Sequence, residues 1–82
     1  MYDSKLLERI AINPKVLVGN PVIRGTRLTV QHILGLLASG MIIDEILQEY
    51  TDLTREDVLA SILLANESLE TTTFAPLSSE GV

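Results

Sequence analysis

The spacing of apolar side chains changes partway along the chain. Residues 10–18 (IAINPKVLV) are rich in β-formers but alternate poorly, and Pro14 interrupts them. They predict a short strand at 10–12, a turn at Asn13–Pro14 and a strand near 16–18. Gly19, Asn20 and Pro21 form a turn-favouring triplet. Val22, Ile23 and Arg24 then face Arg27, Leu28 and Thr29 across Gly25-Thr26. Gly25 at the first central position of a two-residue loop predicts a type II′ hairpin, and a three-residue loop using the same glycine fits equally. Gly19, Pro21, Gly25 and Thr26 are therefore the expected structural turn residues.

Beyond Thr29 the period becomes helical. Val30, Ile33, Leu34 and Leu37 mark one face of a first helix, with Thr29 as N-cap and Gly40 as stop. Ile43, Ile46, Leu47 and Tyr50 repeat that spacing in a second, short helix, and Asp44 and Glu45 suit the positive end of its dipole. Thr54-Arg55-Glu56-Asp57 reads as a capping box, with Asp57 in place of the usual Glu or Gln. The third helix is predicted over 55–69, with Val58, Ile62, Ala65 and Leu69 on its core line and Leu59, Leu63 and Leu64 beside it. That apolar face is wider than a three-helix core of this size needs. Leu59, Leu63 and Leu64 are thus the expected homodimer interface. The plan is one mainly α domain over 1–70, an N-terminal β-hairpin followed by three helices, with a short polar segment at 71–82 expected to be flexible.

Size sharpens the dimer expectation. A chain this short buries about 60% of the surface its unfolded form exposes. It has no cysteine for a disulfide or a thiolate metal site, and 46% of its residues are hydrophobic. A small chain this apolar is expected to cover part of its surface with a copy of itself or a partner. No apolar run approaches the roughly 18 residues of a membrane span. No basic-then-apolar leader opens the sequence, so a cytoplasmic location is expected.

Charge is unevenly divided. Residues 1–30 carry Lys5, Arg9, Lys15, Arg24 and Arg27 against Asp3 and Glu8, whereas Arg55 is the one basic residue among all the remaining acids. A basic end on an acidic molecule suggests that it meets something acidic, another copy included. Arg24 and Arg27 on facing sides of a hairpin would cost some tenths of a kcal/mol, or about that, in like-charge repulsion. Two readings of them stay open. Acids of the same fold or of a dimer mate, such as Asp44, Glu45 or Asp57, neutralise them, or they pair with carboxylates of a different protein, for which arginine's planar fork is suited.

Catalytic chemistry is hard to assemble from these residues. His32 is the one histidine and no nucleophile or second ligand accompanies it, so a packed or half-exposed histidine is expected rather than a general base. Asp44, Glu45, Glu49, Asp52, Glu56 and Asp57 could hold a metal only if their oxygens converged. Helix-start preference accounts for them with less assumption. No enzyme activity, metal or cofactor is expected. Helices two and three with their short link also read as a helix-turn-helix. A recognition helix should carry basic and amide groups for base edges. The third helix has one basic residue and several acids, which repel phosphate.

The residues themselves resemble a known family. Gly19, Pro21, Ile23, Gly25, Thr26 and Arg27, then Ala38 and Gly40, then Glu45, Ile46 and Leu47, then Leu53, Thr54, Glu56 and Asp57 are similar to the pattern of the bacterial and archaeal domain-of-unknown-function 433 family. The resemblance spans roughly residues 9–66. Asn20 stands where Lys or Arg is usual, Thr29 and Thr51 where Pro is common, and Ile42 where a Ser cap is common. The resemblance implies a homeodomain-like helix-turn-helix core with an N-terminal β-hairpin, as a dimer. It also implies an antitoxin-like role, because many members sit beside a gene for a PIN-like nuclease toxin. Such a nuclease presents carboxylates for a divalent metal, and an arginine placed there would displace the metal and block hydrolysis. Arg24 and Arg27 are the expected partner-binding residues, with Phe74 and Leu77 of the C-terminal segment, which either order on an apolar groove of the partner or fold back as a lid over the core. The alternative is a small transcriptional regulator that binds DNA.

Overall fold

A computed structural model describes residues 4–12 and 20–70. A 3-10 helix, Ser4–Arg9, leads into strand β1, Ile10–Ala11. β1 pairs antiparallel with β2, Val22–Ile23, in the register Ile10 to Ile23 and Ala11 to Val22. Helices α1 (Val30–Ala38), α2 (Ile43–Glu49) and α3 (Arg55–Glu70) follow. The mainly helical architecture with an N-terminal antiparallel pair is the one expected. The strand near 16–18, the turn at Asn13–Pro14, Gly19, and the 71–82 segment with Phe74 and Leu77 lie outside the described residues.

The tight turn after β2 sits one residue earlier than the sequence suggests. The Thr26 N–H donates to the Ile23 carbonyl at 2.9 Å, so the turn is Ile23–Thr26. Gly25 is its third residue with φ +84, as a type II turn requires. The Ile23 N–H reaches the Leu28 carbonyl at 2.9 Å, which closes a four-residue loop in place of the predicted two- or three-residue one. The reason is Thr26. Its hydroxyl donates to the Ile23 carbonyl at 2.9 Å and accepts from the Leu28 N–H at 3.1 Å, so a side chain takes over the bridging that a tighter hairpin would leave to the backbone. Arg24 and Arg27 therefore lie within one loop, not as a facing strand pair.

The helix ends are made by local chemistry. Thr29 caps α1 by accepting the His32 N–H at 3.0 Å. At the other end Gly40 has φ +107, its N–H bonds the Leu37 carbonyl, and the Met41 N–H bonds the Leu36 carbonyl. These two bonds are a Schellman motif. α2 begins on Ile42, which has no side-chain oxygen to offer, and only half a box forms when Glu45 Oε1 accepts the Ile42 N–H at 3.0 Å. α3 has the complete box. Thr54 Oγ1 accepts the Asp57 N–H at 3.2 Å, and Asp57 Oδ2 accepts the Thr54 N–H at 3.0 Å.

α3 is the element on which the others converge, packing against the 3-10 helix, α1, α2 and β1. The core is Ile10, Ile23, Val30, Ile33, Ile46, Leu53, Val58, Ala60 and Leu63. Here the predicted core line of α3 needs correction. Ile62 is 41% exposed and Leu69 62% exposed, whereas Asp57, Val58, Ala60, Ser61 and Leu63 are buried. Asp57 is turned inward by its bonds to Thr54 and Arg9, and the buried side of the helix follows from that rotation. Of the three expected interface leucines, Leu63 belongs to the core and Leu64 packs partly against it. Leu59 lies on the outward side with Ile62 and Leu69.

Candidate interaction site

Arg24 and Arg27 sit on one loop but have different surroundings. The Arg24 guanidinium turns back along β1, donating from Nε to the Glu8 carbonyl at 2.9 Å and from Nη2 to the Ile10 carbonyl at 3.3 Å. It thereby ties the end of the 3-10 helix to the loop. Arg27 is exposed and bonds none of the described residues.

The loop forms a ridge between two open clefts. One, of about 570 Å³, has Lys5, Arg9 and Arg24 facing Glu8, Glu56 and Asp57. Its cations are already engaged, since Arg24 is held by two carbonyls, Lys5 has a partner, and Arg9 Nη1 pairs with Asp57 Oδ1 at 3.2 Å and lies 3.4 Å from Thr54 Oγ1. The other cleft, of about 500 Å³, lies between Gly25–Leu28 and the α2–α3 link, with Arg27 on one side and Glu49 and Asp52 on the other.

Within the chain, none of the three acids named as neutralising partners meets Arg24 or Arg27. Asp57 pairs with Arg9, Glu45 caps the Ile42 N–H, and Asp44 lies 3.9 Å from Arg55 on an open surface, where such a pair contributes little. The role of Arg9 has no signal in the sequence. Its partner lies 48 positions away, and no local spacing signals that. The role of Glu49 has a faint local signal, because an acid in the last turn of a helix opposes the dipole.

His32 is exposed, its Nε2 is 3.1 Å from the Tyr50 hydroxyl, and the two rings meet edge-on with centroids 5.8 Å apart. That contact ties α1 to the end of α2. Among the described residues no three His, Cys, Asp or Glu side chains are grouped to hold a metal ion. No described helix is long and apolar enough to cross a membrane.

Comparison with known proteins places this arrangement in a family. A solved structure titled as a DUF433 member protein from Anabaena variabilis superposes with a TM-score of 0.69 at 31% identity, covering 83% of this chain and 67% of that one. No curated protein matches the chain. The family model described as Protein of unknown function (DUF433) matches residues 10–65, a span holding both strands and most of α3, and the chain belongs to that family.

Proposed function

We propose that this protein is a non-catalytic, dimeric binding module of the antitoxin kind, which holds a PIN-like ribonuclease inactive. The observation that carries the reading is the outward side of α3. Its exposed side chains include Leu59, Ile62 and Leu69, with Glu56 and Glu70, and Arg55 is its one cation. An apolar and acidic helix face suits contact with protein and repels phosphate. α2, the Tyr50–Thr54 link and α3 have the connectivity of a helix-turn-helix, but the helix that would read base edges offers them leucine, isoleucine and glutamate. Leu59, Ile62 and Leu69 are assigned to self-association, which leaves the loop bearing Arg27 free for the nuclease. On this reading the arginine pairs with a carboxylate of the nuclease.

The test is co-expression of the chain with the product of the adjacent gene, followed by affinity capture and a ribonuclease assay. Capture with loss of ribonuclease activity is expected. An adjacent product that is neither captured nor inhibited, or specific binding of the purified chain to its own promoter DNA, would overturn the reading. Sedimentation should give a dimer that Ile62→Lys converts to monomer.

A further inference from the structure

The two loop arginines have separate tasks. Arg24 spends its donors on the Glu8 and Ile10 carbonyls and is a strut of the fold. Arg27 extends from a loop that is fixed from both sides. Gly25 supplies the positive φ, and the Thr26 hydroxyl brackets Ile23 and Leu28. Holding a side chain on a pre-formed loop reduces the ordering cost of binding. Across the cleft of about 500 Å³ stand Glu49 and Asp52, both exposed, with side chains that, like that of Arg27, bond none of the described residues. Glu49 occupies the last turn of α2, where a cation would serve the helix better.

We infer that this cleft is a two-sided docking site, in which Arg27 takes a carboxylate from a partner loop while Glu49 and Asp52 take a cation that flanks it. The inference rests on the protein-binding reading above and assigns that binding to one place on the surface. Charge complementarity selects the occupant. A nucleic-acid backbone or a free anion would meet Arg27 but be repelled by the two carboxylates, and a purely basic segment would be repelled by Arg27. A polypeptide segment with both signs a few residues apart satisfies both walls. The neighbouring cleft offers no such opening, because each of its cations is already held: Arg9 by Asp57, Arg24 by two backbone carbonyls, and Lys5 by a partner of its own.

Two measurements test the site. In the first, the affinity of the adjacent-gene nuclease is compared for the wild-type chain, Arg27→Gln, Arg24→Gln and the Glu49→Gln/Asp52→Gln pair. Arg27→Gln should weaken binding about tenfold or more, the size of one charge-assisted contact. The acid pair should weaken it too, while Arg24→Gln should lower thermal stability and leave the affinity of folded molecules unchanged. In the second, amide and arginine Nε–H chemical shifts are followed with three blocked peptides, Gly-Asp-Gly-Lys-Gly, Gly-Asp-Gly-Asp-Gly and Gly-Lys-Gly-Lys-Gly. The mixed peptide should shift Arg27 Nε–H and the Glu49 and Asp52 amides more than either single-sign peptide does. A nuclease that is bound by the wild type and equally well by Arg27→Gln overturns the site and leaves the antitoxin reading standing. A nuclease that fails to bind, beside a mixed-peptide response centred on Arg27, overturns the antitoxin reading and supports the site. A mixed peptide with no preference for this cleft overturns the site in either case.

Discussion

The two sides of α3 are built from opposite materials. Inward, near its start, Asp57 is buried yet bonded to Thr54 and Arg9, Ser61 donates to the Asp57 carbonyl at 3.1 Å, and Val58, Ala60 and Leu63 fill the space between. Among the described residues no buried side-chain nitrogen or oxygen lacks a partner. Outward, Leu59, Ile62 and Leu69 meet solvent. One side is complete within the chain, and the other has apolar surface that the chain does not cover. The difference teaches that hydrophobicity alone does not say which side of a short helix is the core. Here a polar residue, Asp57, marks it.

The largest effect should separate the two sides directly. Leu63→Ala removes a side chain that is 5% exposed and should cost about 2–5 kcal/mol. Ile62→Ala removes one that is 41% exposed and should cost less than about 1 kcal/mol. Denaturant unfolding at low protein concentration, where self-association contributes least, measures both. Equal losses would erase the distinction between the sides.

That contrast also explains how much was legible in the sequence. Three helices with their ends at Thr29, Gly40 and Thr54 could be read because each end is signalled by residues within four positions of it. The face of α3 could not be read. Val58, Ile62, Ala65 and Leu69 form as good a stripe on paper as the buried set, and choosing between them needed the Arg9–Asp57 pair. The interaction site was half legible. Gly25, Thr26 and Arg27 announced a special turn, but the division of labour between Arg24 and Arg27 depends on carbonyls of the 3-10 helix and β1, 16 and 14 positions away. Glu49 and Asp52 looked like ordinary surface acids until the fold set them across from Arg27.

One turn of helix gives a finer version of the comparison. Asp57 and Glu56 are neighbours of similar chemistry, one buried and one exposed. Asp57→Ala removes the N-terminal box and leaves the Thr54 N–H and the Arg9 guanidinium without their carboxylate, which should cost about 1–3 kcal/mol. Glu56→Ala removes a dipole-facing charge and should cost about 0.3–1 kcal/mol at low ionic strength. Thermal unfolding of the two variants side by side should show the order, and a greater loss for Glu56→Ala would mean that Asp57 does not anchor the inward side.

Gly25 separates two costs that core substitutions mix. A Cβ there would meet nothing within 4 Å, yet the residue sits at φ +84. Gly25→Ala should therefore cost about 1–2 kcal/mol from backbone conformation alone. No rearrangement of the core should accompany it, so backbone amide shifts should change only around residues 22–29. Changes reaching α3 would show that the turn and the inward side of the helix are one unit.

The smallest effect is expected at the most buried hydroxyl. Ser61 is fully buried and its Oγ donates to the Asp57 carbonyl at 3.1 Å, so it resembles a member of the Asp57 network. Its energetic position differs. The Asp57 carbonyl still accepts the Ser61 N–H as part of the helix after the hydroxyl is gone, so Ser61→Ala leaves no acceptor stranded. The substitution opens a void of a single oxygen atom, and alanine is the better helix former by roughly half a kcal/mol. These effects offset, and Ser61→Ala should leave stability within about 0.5 kcal/mol of the wild type in denaturant unfolding. A loss as large as that of Asp57→Ala would show that the hydroxyl helps to fix the rotation of α3. The inward side would then be held by two polar groups instead of one.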